Sequence, residues 1–247
     1  MAQGLRSHTR LTGTPGPTET AARGSTGTSG PTETEPESEG SRVWPVILTD
    51  RQSDIVLRPL RRRDEQQWRE VRRFNRDWLR PWDATLPAPG QELPGFRSMV
   101  RMQDRQAKRS QSVPFAIEVG GDFRGQITVS GLSWGSILSG QIGYWIDSRV
   151  AGRGITPIAV AMAVDHCFFT LGLHRIEINI RPENTASLRV VDKLGLRDEG
   201  LRKGYMHIDG QWCDHRTFAV LAEEVPHGLL AAYRYGQGGT TADRTAP

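Results

Sequence analysis

Apolar residues recur along the chain in two spacings, and each spacing predicts one kind of element. Alternation of apolar and polar residues predicts a strand, and apolar residues at every third or fourth position predict a helix. Strands are predicted over Asp54–Leu60, Val113–Val119, Phe123–Leu132, Gln141–Asp147, Arg175–Ile180, Asp198–His207 and Trp212–Leu221. Helices are predicted over Glu65–Trp78, Leu93–Lys108, Thr156–Leu171 and Asn184–Leu194.

The order of these elements predicts the fold class. A strand and two helices precede three strands, and then a helix, a strand, a helix and two strands follow. Glycine-containing turns join several neighbouring strands as hairpins would. We therefore expect one α/β (α+β) domain, with a mixed, mostly antiparallel sheet and helices on both faces.

The two ends of the chain lack the apolar pattern. Of the first 41 residues, 30 are Gly, Pro, Ser, Thr or Glu, so residues 1–41 are predicted to form a disordered tail. The domain is expected to span residues 42–222. Residues 223–247 are predicted to form a loose C-terminal tail, although Leu229–Tyr233 is apolar enough to dock on the domain.

Composition and charge exclude several classes of protein. The chain has no apolar run long enough for a transmembrane helix and no apolar stretch of a secretory signal near its start. Two cysteines are too few for a disulfide scaffold and favour a reducing, cytoplasmic location. No His/Cys cluster has the spacing of metal ligands, so no metal is expected. The net charge of +4 is compatible with RNA, ribosomes or acidic small molecules as partners.

The junction after the strand Gln141–Asp147 has the features of a phosphate-binding turn. Gly152-Arg153-Gly154 leads directly into the helix predicted from Thr156. Glycines allow a tight backbone turn, and a helix start presents unpaired N–H groups and the positive end of its dipole, which together can hold a pyrophosphate. The alternative is a plain strand-to-helix loop that contains two glycines.

The C-terminal half resembles the GNAT N-acetyltransferases, and among them the ribosomal-protein-alanine N-acetyltransferases. The resemblance spans about residues 53–222, and four segments carry it: Gln141-Ile-Gly-Tyr-Trp-Ile-Asp147 with Ala151-Gly-Arg-Gly154, Ile176 to Ser187, Lys193-Leu-Gly-Leu196, and Tyr205 to His215. It implies acetyl-CoA as the donor substrate. It also implies that the backbone of Tyr144, Trp145 and Ile146 pairs with pantetheine and supplies the oxyanion donor.

The resemblance further assigns a pyrophosphate window and two polar side chains. The window is Ala151, Gly152, Arg153, Gly154, Ile155 and Thr156; Ala151 and Thr156 depart from the family pattern at its two ends. A second register, from Arg149 to Gly154, fits the letters but begins close to the strand end. Asn184 is expected to contact the CoA arm, to cap the next helix, or both. Ser187 is expected to protonate the CoA thiolate, or else to be an exposed hydroxyl in the first helical turn.

No residue is clearly the general base. Related enzymes often have Glu where this chain has Gln141. The remaining candidates are Glu118, Glu177, His207 and Asp209. The alternatives are a base that acts through water, or no base at all.

Nine arginines between Arg58 and Arg80 form either a docking face for a ribosome or acidic peptide, or a solvated helix face. Trp82, next to Pro81, is a candidate for the lining of an acceptor cleft. The predicted function is acetyl transfer to a protein N-terminal α-amine, with a ribosomal protein as one possible acceptor. The alternatives are a lysine or small-molecule amine acyltransferase of the same fold, and a non-catalytic CoA- or RNA-associated binding protein.

Overall fold

Eight strands of the described chain form one sheet. The computed structural model describes residues 44–88 and 93–238, so the predicted tail 1–41 and the last residues of the C-terminal segment lie outside it. The strands are β1 (Leu48–Thr49), β2 (Ile55–Arg58), β3 (Val113–Val119), β4 (Asp122–Ser133), β5 (Ser139–Ile146), β6 (Arg175–Ile180), β7 (Arg197–Ile208) and β8 (Gln211–Leu221). Their spatial order is β1-β2-β3-β4-β5-β6-β8-β7.

Neighbouring strands are antiparallel except β5 and β6, which pair in parallel. This confirms the predicted mixed, mostly antiparallel sheet. The α-helices of the described residues are α1 (Glu65–Phe74), α2 (Arg76–Leu79), α3 (Phe96–Lys108), α4 (Ile155–Phe169), α5 (Thr185–Lys193) and α6 (Leu229–Gly238). No helix in this part of the chain is long and apolar enough to cross a membrane.

Alternation along the strands gives the sheet two chemically different faces. The α4 face carries Ile142, Ile176 and Ile178, which are buried in one large cluster with α4 and α5. Helix α4 is buried on nearly every side, because its residues are apolar around the whole circumference. The opposite face, here called the α1 face, packs a smaller cluster that contains Val71 and Phe96 from the helices α1 and α3.

The predicted helix Glu65–Trp78 is interrupted in the structure. It forms α1 and α2 with Asn75 between them. The buried Asn75 side chain donates a hydrogen bond to Asp147, which lies after β5. An asparagine amide can form hydrogen bonds that compete with those of a helix. Asn75 can therefore bond to a distant segment at the point where the helix is interrupted.

The C-terminal segment also differs from the predicted loose tail. Helix α6 packs on α4, and Leu229 at its start is only 1% exposed. The Asp165 carboxylate of α4 accepts hydrogen bonds from the backbone N–H groups of Leu229 at 2.6 Å and Leu230 at 3.3 Å. Asp165 thus stabilises the docking of Leu229–Tyr233, because it pairs N–H groups that would otherwise be unpaired at a helix start.

Candidate active site

Strands β5 and β6 run side by side only at their beginnings. Three residue pairs join them, from Ser139 with Arg175 to Gln141 with Glu177. Strand β5 then continues along β4, and β6 continues along β8. The two strands therefore diverge after Gln141 and leave a wedge. Tyr144, Trp145 and Ile146 pair with β4 on one side. On the other side, which faces the wedge, their backbone has no strand partner among the described residues. Unpaired backbone N–H and C=O groups at such an edge can bind an amide-containing ligand in the manner of an added strand.

The glycine turn lies directly after this open edge. Gly152 and Gly154 both have φ = 79°, in the left-handed region, and Gly154 is the N-cap of α4. The backbone N–H groups of Gly152, Arg153 and Gly154 have no acceptor in the described part of the chain. Arg153 is exposed and has no ion-pair partner there. Free N–H groups, a helix start and a positive charge therefore meet at the wedge, as an anion site requires.

A buried carboxylate, Asp147, fixes the backbone just before this turn through hydrogen bonds. It is 0% exposed; its Oδ1 accepts from Asn75 Nδ2 at 3.0 Å and from the Arg149 backbone N–H at 3.1 Å. Asn75 Oδ1 in turn accepts from the Ser148 N–H at 2.9 Å. Burial acts to raise the pKa of Asp147, but the hydrogen bonds from Arg149 and Asn75 outweigh it, so the pKa is lowered and the carboxyl stays ionised.

Two hydroxyl groups meet on the α4 face of the wedge. The Tyr144 hydroxyl is enclosed and makes no hydrogen bond in the described structure, although Ser187 is near enough to influence its ionisation. Burial raises the pKa of Tyr144 to about 12, against the opposing effect of Ser187, so the phenol is protonated at neutral pH. Ser187 is half-buried in the first turn of α5 rather than fully exposed. Its backbone N–H is capped by Asn184 Oδ1 at 3.1 Å, so Asn184 is the N-cap.

A neutral polar network occupies the α1 face at the point where the strands diverge. The Tyr205 hydroxyl donates to Gln141 Oε1 at 2.9 Å, and Asn179 Nδ2 lies 3.3 Å from the Tyr205 oxygen. Thr217 Oγ1 donates to Asn179 Oδ1 at 2.8 Å, which fixes the orientation of the amide. The ring of His215 lies against Tyr205, with 5.5 Å between their centroids. This network can orient an acceptor without presenting a charge to it.

The carboxylates proposed as bases are engaged elsewhere. Glu118 accepts from Arg58 Nε at 2.6 Å, within a buried cluster that also contains Asp64. Glu177 accepts from Arg175 at 2.9 Å and from Arg202 at 2.8 Å. Asp209 lies in the β7–β8 turn, 3.8 Å from Arg80. Each of these carboxylates is therefore engaged with a guanidinium group rather than free to contact an acceptor amine.

His207 is also placed away from the wedge. It lies near the far end of β7, where its Nδ1 is 2.8 Å from Thr85 Oγ1. The Thr85 N–H donates to the His207 carbonyl at 2.9 Å, and an isolated bridge joins Ala84 to Ile208. The residue therefore fastens the loop after α2 to the sheet.

The arginine-rich run divides into buried and exposed members. Arg58 is 5% exposed and pairs with Asp64 at 2.8 Å, so it has a structural role. Arg62, Arg63, Arg73 and Arg76 are exposed and have no ion-pair partner in the described residues. Near the acceptor side, the Arg181 guanidinium stacks 5.7 Å from the centre of the Trp82 ring.

Comparison with known proteins decides what this arrangement is. Residues 54–197, more than half of the 247-residue chain, match a family model described as an acetyltransferase (GNAT) domain. The chain belongs to the GNAT acetyltransferase family. Membership makes it an acetyl-CoA-dependent N-acetyltransferase, which confirms the expected enzyme class and donor. No group of three or more His, Cys, Asp or Glu side chains in residues 44–88 and 93–238 is arranged to hold a metal.

Several relatives of this GNAT enzyme can be named. The probable N-acetyltransferase YjcK of Bacillus subtilis is 30% identical over 169 residues, 68% of this chain and 93% of the relative. The ribosomal protein uS5-alanine N-acetyltransferase of Escherichia coli is 28% identical over 176 residues, 70% of this chain and 89% of the relative. The structure of Mycobacterium smegmatis RimJ in complex with CoA-disulfide is similar, with a TM-score of 0.72 at 36% identity. That similarity covers 79% of this chain and 96% of RimJ.

The structure thus brings most of the candidate residues of this GNAT domain to one place. Tyr144–Ile146 lie along the wedge, the window 151–156 follows at the start of α4, and Ser187 on α5 lies near the Tyr144 hydroxyl. Sequence reasoning missed Asn75, Tyr205 and His215. The first had no local signal, whereas the last two stood within the segment Tyr205 to His215 that carries the family resemblance.

Proposed function

We propose that this GNAT enzyme acetylates the N-terminal α-amine of a protein, with ribosomal proteins as the acceptor class. The observation that carries the proposal is the neutral character of the acceptor side. Gln141, Asn179 and Tyr205 line the α1 face of the wedge. The carboxylates Glu177, Glu183 and Asp214 around them are each paired with an Arg or Lys. Such a surface does not favour a polycation.

An α-amine suits a site without a free carboxylate. Its reference pKa is about 7.7–8.0, against about 10.4 for lysine, so roughly a third of α-amines but only about 0.1% of lysines are neutral at pH 7.5. Aminolysis of a thioester needs the neutral amine. The enzyme therefore has less deprotonation to perform on an α-amine, which makes a strong base unnecessary.

The donor is proposed to lie along the wedge and over the glycine turn. Pantetheine pairs with the backbone of Tyr144, Trp145 and Ile146, and the pyrophosphate binds the N–H groups of residues 151–156. Asn184 has its Oδ1 committed to the α5 cap, so its amide nitrogen is the part that is free to contact CoA. On the α1 face, Gly143 leaves open space for an acceptor beside Gln141, because an added Cβ would meet no atom within 4 Å.

In the proposed reaction, the attacking amine and the leaving thiolate lie on opposite faces of the sheet. The amine enters from the α1 face, attacks the carbonyl carbon, and the oxyanion is held by a β5 backbone N–H. The thiolate leaves on the α4 face, where Ser187 donates its proton and the protonated Tyr144 lies beside it. The name of the uS5-alanine N-acetyltransferase of Escherichia coli supports a protein acceptor, because the match covers 70% of this chain and 89% of that relative.

The acceptor can be tested with matched peptides. One peptide begins with a free Ala or Ser and contains no lysine, and its partner has a blocked N-terminus and one internal lysine. With acetyl-CoA and the full chain, we expect mass spectrometry to show acetylation of the free α-amine and far slower reaction of the blocked peptide. Preferential acetylation of the lysine would support the lysine acyltransferase instead, and the absence of turnover on both would support a non-catalytic CoA-binding protein.

A further inference from the structure

We propose that His215 is the general base of this enzyme, and that it takes the proton of the acceptor amine through a bridging water. The inference rests on the proposed function, since it assumes an amine that enters from the α1 face. Its basis is the position of the His215 ring beside the wedge and the arrangement of hydrogen bonds at its two nitrogens.

The hydrogen bonds of His215 define which nitrogen is basic. His215 is 3% exposed, and its Nδ1 lies 3.1 Å from the carbonyl oxygen of Cys213. A carbonyl can only accept, so Nδ1 carries the proton and the lone pair of the neutral ring is at Nε2. Nε2 has no hydrogen-bond partner in residues 44–88 and 93–238, yet it is not sealed from solvent. A water molecule can therefore reach the one nitrogen that is able to accept a proton.

The ring is also close to the point where the acceptor must enter. His215 packs edge-on against the Tyr205 ring at 5.5 Å, and the Tyr205 hydroxyl bonds to Gln141 at 2.9 Å. Gln141 is the last residue of β5 that pairs with β6 before the wedge opens. His215 thus lies one aromatic ring away from the wedge, on the face opposite Tyr144 and Ser187.

The surroundings of His215 keep it neutral. Burial lowers its pKa, the Cys213 carbonyl and the carboxylates Glu183 and Asp214 act in the opposite direction, and the Arg181 guanidinium lowers the pKa further. From β7, the facing groups are Tyr205 and Arg202, whose guanidinium lies over the Tyr205 ring at 5.2 Å. The net effect is a lowered pKa, so the ring is an uncharged proton acceptor at neutral pH.

The proton balance of the step is complete. The amine nitrogen forms a bond to the carbonyl carbon, the carbon–sulfur bond breaks, and the electron pair leaves with the thiolate. The proton from nitrogen passes through water to Nε2 and then to solvent. Ser187 gives its proton to the thiolate and recovers one from solvent. Because a histidine of lowered pKa is a weak base, it suits an α-amine better than a lysine.

Two measurements test the proposal on the full chain. Nitrogen-15 NMR of the histidine side chains reports the tautomer and charge of His215 without any acceptor, with the signal assigned by its loss in His215→Asn. We expect a neutral ring protonated at Nδ1 at pH 7. A charged ring or an Nε2–H tautomer at that pH would overturn the proposal.

The second measurement is kcat with the free-amine peptide from pH 5.5 to 9 for the parent and His215→Asn. Asparagine keeps an N–H donor for the Cys213 carbonyl but has no basic nitrogen, so a purely positioning role would be largely preserved. We expect kcat at pH 7 to fall by about 10²–10⁴-fold, the acidic limb of the profile to lose the step due to the histidine and keep only the step due to the acceptor amine, and the acetyl-CoA Kd to stay unchanged. His207→Asn, whose ring lies at the far end of the same strand pair, is the matched control and should keep the limb.

The outcomes distinguish a failure of the His215 assignment from a failure of the proposed acceptor. Parental kcat and an unchanged acidic limb in His215→Asn would overturn the base assignment and leave the proposed function intact. If the parent acetylates only lysine peptides or polyamines, the proposed function fails, and the same limb is then measured on that acceptor. If the parent acetylates no amine at all, both proposals are overturned.

Discussion

The Asn75 side chain, between α1 and α2, donates to Asp147 Oδ1 at 3.0 Å and accepts from the Ser148 N–H at 2.9 Å. Two segments 72 positions apart are joined in this way at the last residues before the glycine turn. The helices of the α1 face thus hold the backbone that is proposed to bind pyrophosphate. This buried contact of Asn75 with Asp147 and Ser148, here called the anchor, therefore links elements of the acceptor side and the donor side of the site.

The first prediction follows from this anchor. Asn75→Ala leaves the buried Asp147 carboxylate and the Ser148 N–H short of partners, at a cost of about 3 kcal/mol. We expect Tm to fall by about 6–12 °C and the acetyl-CoA Kd to rise. Differential scanning calorimetry and titration calorimetry measure the two effects.

Asn75→Asp separates the charge of this anchor from its shape. It places a second carboxylate against Asp147, whose folded-state pKa is lowered, so the contribution of Asp147 is present above its unfolded pKa and is lost as the pH falls through the folded one. The added like charge reverses that preference, since one of the two groups must take a proton. Asn75→Asp should therefore be less stable than Asn75→Ala at pH 7 and recover toward pH 5. Parental stability at pH 7 would show that the contact is unimportant.

The second prediction concerns the glycine turn. Gly154→Val forces a β-branched residue to φ = 79° and adds methyl groups where the backbone is proposed to approach phosphate. We expect acetyl-CoA binding to be lost while the fold is retained. Gly172→Val is the matched control, because Gly172 also has a left-handed φ of 68° but lies between α4 and β6, at the other end of α4. It should lose similar stability and keep the Kd. Unchanged affinity in Gly154→Val would place CoA elsewhere.

The third prediction comes from helix α6. A Cβ at Gly154 would lie 3.8 Å from the Tyr233 hydroxyl oxygen, so α6 brings a hydrogen-bonding group to the same turn. Tyr233→Phe should raise the acetyl-CoA Kd by about two- to twelvefold, the effect of one hydrogen bond of about 0.5–1.5 kcal/mol. Tyr235→Phe on the same helix changes a side chain that is 88% exposed and should have no effect. Equal Kd values for the two variants would limit α6 to packing.

The sheet and the glycine turn could be predicted from the sequence because they depend on local periodicity. Strand β6 alternates strictly from Arg175 to Ile180, and the predicted and observed limits agree. The wedge could not be derived in this way, since it depends on where two strands stop pairing. The Asn75–Asp147 contact and the His215–Tyr205 contact depend on the tertiary register, which no local pattern reports. The sequence predicts a loose segment from Glu223, with docking of Leu229–Tyr233 as the alternative, and it gives no local sign that the distant Asp165 caps the start of α6.

The fourth prediction tests the proton donor. Ser187→Ala removes the half-buried hydroxyl next to Tyr144 but leaves the Asn184 cap, which uses the Ser187 backbone N–H. We expect kcat to fall by about 10²–10⁴-fold with the acetyl-CoA Kd nearly unchanged, as measured by release of free CoA. Thr185→Ala, an exposed hydroxyl in the same helical turn, is the control. Equal turnover in Ser187→Ala and the parent would leave Ser187 without a catalytic role.

The last prediction concerns Gln141, the last residue of β5 that pairs with β6 before the two strands diverge. Its Oε1 already accepts from Tyr205, and Asn179 Nδ2 lies 3.4 Å away, so a carboxylate oxygen can take the same place without rearrangement. Gln141→Glu adds a negative charge that attracts a lysine ammonium and can accept its proton. We expect the rate on the blocked lysine peptide to rise by about tenfold or more, and the rate on the free α-amine to change less, because that amine is already partly neutral. Asn179→Asp is the control: it adds the same charge but turns an acceptor toward Gln141 Oε1, so it should lose stability and gain no lysine activity. If Gln141→Glu gains no activity on lysine while its α-amine rate is preserved, the neutral network does not determine the choice of amine.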